Sequence, residues 1–211
     1  RANKAGYVEK EISKTVTVGK QKNTTGNLVL SATSGTLTYP STKTFTVSKN
    51  VSGGTLSVTS SNENVATATI SGTTVTITPK AILADGQKTT ITVTSAATSN
   101  YEAQTTTYTA TVNRGSITIN ATPYTGNYDG AAHNAITSIS TTPTGTTLQY
   151  ALGDGAYSST MPTVTGANTY TIAIEAAKTG YKTVIETYTV TIGKANASSG
   201  NLTLSETSGT I

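Results

Sequence analysis

The 211-residue chain has no cysteine and no tryptophan, and only one methionine, one phenylalanine and one histidine. Without cysteine there is no disulfide, thiol nucleophile or thiolate metal centre, so any domains must stand on packing alone. One histidine and three aspartates leave little material for acid–base chemistry. No catalytic residue and no cofactor are expected. Calcium takes six to eight oxygens, several of them from carboxylates. The ten acidic residues form no Asp-x-Asp or Asp-x-Asn cluster, so no metal site is expected either. No apolar run approaches the ~20 residues of a membrane-crossing helix, which argues against membrane insertion. The net charge of +4 comes from twelve lysines and two arginines scattered along the chain. No stripe of basic and aromatic residues suggests a nucleic-acid surface. The densest basic stretch, Lys4, Lys10, Lys14, Lys20 and Lys22, is diluted by Glu9 and Glu11 and by the strand-like Thr15-Val16-Thr17-Val18. It reads as a solvated strand face, where lysine discourages edge-to-edge pairing.

What is present is threonine, about a quarter of the chain, interleaved with Val, Ile, Leu and Tyr in short alternating runs. Disorder would need few β-branched residues and a high net charge. Val75-Thr76-Ile77-Thr78, Thr90-Ile91-Thr92-Val93 and Thr169-Tyr170-Thr171-Ile172-Ala173-Ile174 alternate with period two, the period of a strand with one buried face. Tyr188, Val190 and Ile192 are expected to face inward and Thr187, Thr189 and Thr191 outward. Ser52-Gly53-Gly54, Ser71-Gly72, Asp85-Gly86, Thr144-Gly145 and Gly153-Asp154-Gly155 supply turns. No sustained helical period occurs; Ala81-Ile82-Leu83-Ala84 makes one turn at most. The fold class is all-β, as tandem immunoglobulin-like β-sandwiches of about seven strands.

The chain repeats itself. Residues 15–37 read TVTVGKQKNTTGNLVLSATSGTL and residues 189–211 read TVTIGKANASSGNLTLSETSGTI, at an offset of 174 without a gap. Carried back to residue 1, the alignment has 18 identities in 37 positions. A second repeat lies inside the first. YEAQTTTYTATVNR at 101–114 and YKTVIETYTVTIGK at 181–194 share a Tyr and a closing Thr-Tyr-Thr-x-Thr-apolar strand, offset by 80. Fixed periods mark repeat architectures. These cut the chain into the end of a preceding module B (1–19), a module A (20–113), a module B (114–193) and the start of a following module A (194–211). Val16 and Val18 in the first tail, and Leu202 and Leu204 in the last, are apolar positions of strands without a sandwich of their own.

Module A carries Ser60-Ser61-Asn62, Val65-Ala66, a short strand over 67–70, Ser71-Gly72 and a Val-rich strand over 75–78. This pattern resembles the group 2 bacterial immunoglobulin-like family. Module B carries Tyr124-Thr125-Gly126-Asn127-Tyr128-Asp129-Gly130 with Ala132-His133-Asn134, then Gln149-Tyr150, Tyr157-Ser158 and Gly180-Tyr181. It resembles the Tyr-Asp-Gly type of bacterial surface repeat. The resemblances imply sandwiches used as extracellular stalks and adhesin arrays, with no catalysis. Their partners would be neighbouring modules of the same chain, and other copies through the terminal strands.

Few residues offer chemistry. Asp129 and His133 lie four apart, but no Gly-x-Ser-x-Gly elbow accompanies them, and Asp129 reads as a turn cap. Asp154 reads as a hairpin-turn residue. Lys20 and Lys194 sit beside glycine at module ends and read as linker, not as crosslinking lysines. Tyr124, Tyr128, Tyr150 and Tyr157 are the candidate ligand-binding residues, as a platform for a sugar. The alternative is that Tyr128, Tyr150, Tyr170 and Tyr188 fill a core that lacks Phe. The function expected is a non-enzymatic structural segment of a bacterial cell-surface stalk or adhesin. The alternatives are a module binding carbohydrate or host glycoprotein, and the accessory region of a secreted multidomain enzyme.

Overall fold

The structure, a computed structural model, describes residues 4–22 and 24–196. It is all-β, with no helix among the described residues. The strands form two compact units. Unit 1 takes in the chain up to Leu37, Thr42–Thr78 and Lys88–Thr111; unit 2 takes in Thr38–Ser41, Pro79–Gln87 and the chain from Val112.

Unit 1 is built from β1 (Leu28–Leu30), β2 (Ser34–Thr38), β3 (Lys43–Asn50), β4 (Leu56–Ser60), β5 (Ala66–Ser71), β6 (Thr74–Pro79), β7 (Gln87–Ser95) and β8 (Gln104–Asn113). One sheet has the order β1-β3-β6-β5 and the other β2-β8-β7-β4. Taken in chain order, the first is the A-B-E-D sheet of an immunoglobulin sandwich, and β4, β7 and β8 are its C-F-G sheet. The expected alternation drives the packing. Val75 and Ile77 of β6, Ile91 and Val93 of β7, and Phe45 and Val47 of β3 are buried, while neighbouring threonines turn outward. Phe45 and Tyr108 stack with ring centroids 4.4 Å apart.

The Ser-Ser-Asn motif has a structural role. Ser60 Oγ donates to the Ala66 carbonyl at 2.7 Å, and the Thr90 amide donates to Ser61 Oγ at 2.9 Å. The Asn62 amide donates to the buried Thr89 hydroxyl at 3.0 Å. These hydroxyls satisfy backbone groups of the β4–β5 connection, of β5 and of β7, where a buried orphan would be costly.

Unit 2 is built from β9 (Thr118–Pro123), β10 (Thr125–Asn127), β11 (His133–Asn134), β12 (Ile136–Thr142), β13 (Thr147–Leu152), β14 (Thr163–Val164), β15 (Thr169–Ala177) and β16 (Val184–Gly193). A four-stranded sheet runs β10-β16-β15-β13, and the opposite layer pairs β9 with β12 and β11 with β14. Its core gathers Ile117, Ile119, Ile136, Tyr150, Val164, Ile172, Ile174, Val190 and Ile192. The inward positions expected in β15 and β16 are those observed: Ile172, Ile174, Val190 and Ile192 are buried, and Tyr170 and Tyr188 pack on the same core.

β8 and β16 occupy the same ten positions under the offset of 80, so the inner repeat is the closing strand of each sandwich. A single parallel bridge precedes each: Gln21 to Tyr101 in unit 1 and Gly115 to Tyr181 in unit 2. The two tyrosines are the shared Tyr of the repeat.

Turn glycines fall where expected; Gly72 and Gly153 have φ of +58° and +56°, a region that L side chains rarely adopt. The Gly153-Asp154-Gly155 turn brings Tyr150 and Ser158 together, and they exchange both backbone hydrogen bonds. Ala81-Ile82-Leu83-Ala84 contains no helical turn. Thr15-Val16-Thr17-Val18, read above as strand-like, lies in no strand. Val16 and Val18 are 80% and 89% exposed. An alternating segment becomes a strand only when another strand accepts its hydrogen bonds. Of the last tail, only residues 194–196 are described, exposed and outside any strand; Leu202 and Leu204 lie outside the described residues.

The packing predicts unequal responses to truncation. Ile91→Ala in unit 1 and Ile172→Ala in unit 2 should each cost about 2–5 kcal/mol in equilibrium urea unfolding. Thr187→Ala, on the exposed face of β16, should stay within about 0.5 kcal/mol. Equal losses for all three would contradict the assignment of faces.

Candidate functional site

The four candidate tyrosines do not form one platform. Tyr150 is 8% exposed in β13; burial pushes its phenol pKa up, and it has no ring face to offer a ligand. Tyr124, between β9 and β10, packs against the core. Tyr128 and Tyr157 stand on loops, 45% and 40% exposed. Tyr128 is therefore not the core residue proposed in the alternative reading. β10 ends at Asn127, and the Tyr128 amide donates to the Gly193 carbonyl at 2.8 Å, anchoring its backbone while the ring faces solvent.

Tyr124, Asp129 and His133 do come together. Asp129 Oδ1 accepts the Ala131 amide at 2.9 Å, the turn cap expected of it. His133 Nε2 lies 3.0 and 3.1 Å from the two Asp129 oxygens. The imidazole stacks on Tyr124 with centroids 4.2 Å apart and planes 12° from parallel. β11 pairs His133 with Val164 of β14, which holds the ring's backbone in place. The Ala131 amide, followed by His133, holds the Asp129 carboxyl below its ordinary value. Among the described residues His133 hydrogen-bonds to no serine or threonine. The pair orients a loop, with the Asp129 carboxylate holding the imidazole against the Tyr124 ring.

A second feature is a groove of about 460 Å³ beside β9 and β12, lined by Asn120, Ser138, Ile139, Ser140 and Tyr188 among others. Tyr188 Oη donates to Glu186 Oε2 at 2.6 Å. Burial, followed by Glu186, raises the Tyr188 phenol to about 12. The sequence pattern marked Tyr188 only as an inward strand position. The groove has no sequence signal, because it joins residues of three strands distant in the chain. Among the described residues no three His, Cys, Asp or Glu side chains stand close enough to hold a metal ion.

No family model matches the sequence, and no curated protein matches it. Among solved structures the chain is similar to the titin domains Z1Z2 in complex with telethonin, at 12% identity over 82% of this chain and 100% of that one, TM-score 0.37. It is similar to Drosophila N-cadherin EC1-4 at 11% identity over 78% of this chain and 48% of that one, TM-score 0.35. It is also similar to the Yersinia pseudotuberculosis adhesin InvE at 17% identity over 78% of this chain and 58% of that one, TM-score 0.27. The chain spans about half the length of the latter two. Likenesses this distant assign no function, and the immunoglobulin-like description stands on the strand order.

The two polar features predict opposite pH responses. A depressed carboxylate stabilises above the ordinary value of 3.8, and that contribution is lost as pH falls through the lowered value. Acidification below about pH 4 should therefore unprotect the Ala131 amide in NMR exchange. Asp129→Asn, which keeps an acceptor but cannot ionise, should remove that dependence. For Tyr188, whose raised pKa favours the protonated form in the fold, stability should fall between pH 10 and about 12. Tyr188→Phe should fall less over the same range; an unchanged slope would contradict the raised Tyr188 pKa.

Proposed function

We propose that the chain is a non-enzymatic structural segment of an extracellular bacterial surface protein, a stalk or adhesin spacer made of alternating immunoglobulin-like modules. In this reading 20–113 is a group 2 bacterial immunoglobulin-like module and 114–193 a Tyr-Asp-Gly type surface repeat. Residues 1–19 end a preceding module B and 194–211 begin a following module A. Its partners are neighbouring modules, with which stacking builds length from nearest-neighbour contacts.

One observation carries the reading: each sandwich is closed by the same repeated strand, preceded by a parallel bridge to a segment near its module's start. In unit 2, β10 pairs in parallel with β16 at Thr125↔Thr191, Gly126↔Ile192 and Asn127↔Gly193. Tension on the two ends of such a module pulls paired parallel strands in opposite directions along their length. The hydrogen bonds are then loaded together and do not open one at a time. Threonine-rich outer faces suit such a role: β-branched, hydrogen-bonding and uncharged.

A second reading is favoured by the groove beside Tyr188. An aromatic ring among Asn120, Ser138 and Ser140 is chemistry suited to a carbohydrate. The mixture of apolar surface and converging polar groups is typical of small-ligand sites.

Single-molecule stretching of the chain separates the readings from a globular enzyme module. Two force-resisting unfolding events, one per sandwich, are expected. Tyr128→Pro, which removes the amide that donates to the Gly193 carbonyl at the end of β10, should weaken one event and leave the other unchanged. Unfolding at negligible force would refute the stalk. Glycan-array binding abolished by Tyr188→Ala would favour the second reading.

A further inference from the structure

We propose that residues 4–19 are a prefolded turn and closing strand for a B-type sandwich other than unit 2, taking there the place that 178–193 take in unit 2. This deepens the array reading above by naming the slot and what enters it. Three independent observations carry it.

The first is local conformation. The Tyr7 amide donates to the Lys4 carbonyl at 3.0 Å, and the Tyr181 amide donates to the Lys178 carbonyl at 3.0 Å. Gly6 and Gly180 have φ of +88° and +85°. The ammonium of Lys4 lies 5.4 Å from the Tyr7 ring centroid, and that of Lys178 lies 6.0 Å from Tyr181. Residues 4–7 therefore already hold the turn that feeds β16, although no closing strand follows them here.

The second is the fit to the slot. β16 seats Val190 and Ile192 in the core, between β15 and β10. The 174-residue offset puts Val16 and Val18 at those positions, within TVTVG against TVTIG. It also puts Gly19 at Gly193, where a Cβ would stand 2.8 Å from Asn127 Oδ1. The donor thus meets the two core positions and keeps glycine at the end of the strand. At the outer end the match loosens: Lys14 stands for Tyr188 and Ile12 for Glu186. Lysine can lay its stem along the sheet there and keep its charge in water.

The third is exposure. Val8, Ile12, Val16 and Val18 are all exposed. Apolar surface of that kind, on a segment with strand alternation, is stabilised by burial in a sheet.

The test grafts the sequence of residues 4–19 in place of 178–193 within the full chain. The graft should keep amide protection at Tyr170, Ile172 and Ile174 of β15, with a lower melting temperature because the Tyr188 ring no longer packs on the core. A second graft carries Val16→Asp in the transplanted copy, and this should abolish that protection. A third restores tyrosine at the place of Lys14 and should recover part of the lost melting temperature. The proposal is overturned if β15 is unprotected both in the simple graft and in the tyrosine-restored one. It is equally overturned if Val16→Asp leaves protection intact. The stretching events of unit 1 and unit 2 in the unmodified chain do not depend on this result, so a failed graft leaves the stalk reading standing.

Discussion

Each sandwich depends on its last strand. In unit 2 adjacent amides of β16 donate to opposite sides: Thr191 to the Tyr124 carbonyl at 3.1 Å and Ile192 to the Asn168 carbonyl at 2.9 Å. The same stretch buries Val190 and Ile192. One strand therefore joins the start of the module to its antiparallel neighbour β15, and fills the core between the layers. With no cysteine, no covalent link substitutes for it. The core side chains are buried only while both layers are complete, so their contribution depends on the closing strand being in place.

The legible parts of the fold were those with a period or a repeat. Alternation located β6, β7, β15 and β16 and the faces they bury. The offset of 80 located the two closing strands within the matched segments 101–114 and 181–194. The illegible parts are short or depend on distant neighbours. β10, β11 and β14 have three residues or fewer, too few to display a period. Tyr124 and Tyr128 look alike in sequence, yet one packs on the core beside His133 and the other faces solvent. The difference lies in where β10 ends. Residues 15–18 show the converse: a strand pattern is complete there, but no strand among the described residues accepts it.

The candidate site divides in the same way. Asp129 was legible as a turn cap because the Tyr-Asp-Gly sequence has local chemistry. Its pairing with His133 and the stack on Tyr124 depend on β11 meeting β14, which only the fold brings about. The groove beside Tyr188 is further still from the sequence, since β9, β12 and β16 each contribute to it. The Ser-Ser-Asn motif gave the clearest return: its hydroxyls and the buried Thr89 pair backbone groups of the β4–β5 connection, β5 and β7.

Native-state hydrogen exchange of the intact chain, resolved along β15 and β16, tests the central claim most directly. If the closing strand holds the sandwich, the amides of residues 188–192 should exchange together with those of β15, as slowly as any in unit 2. Those of β9 and β12 should exchange no more slowly. Early exchange of β16, with β9, β12, β13 and β15 still protected, would show a sandwich that stands without its last strand and would contradict the account.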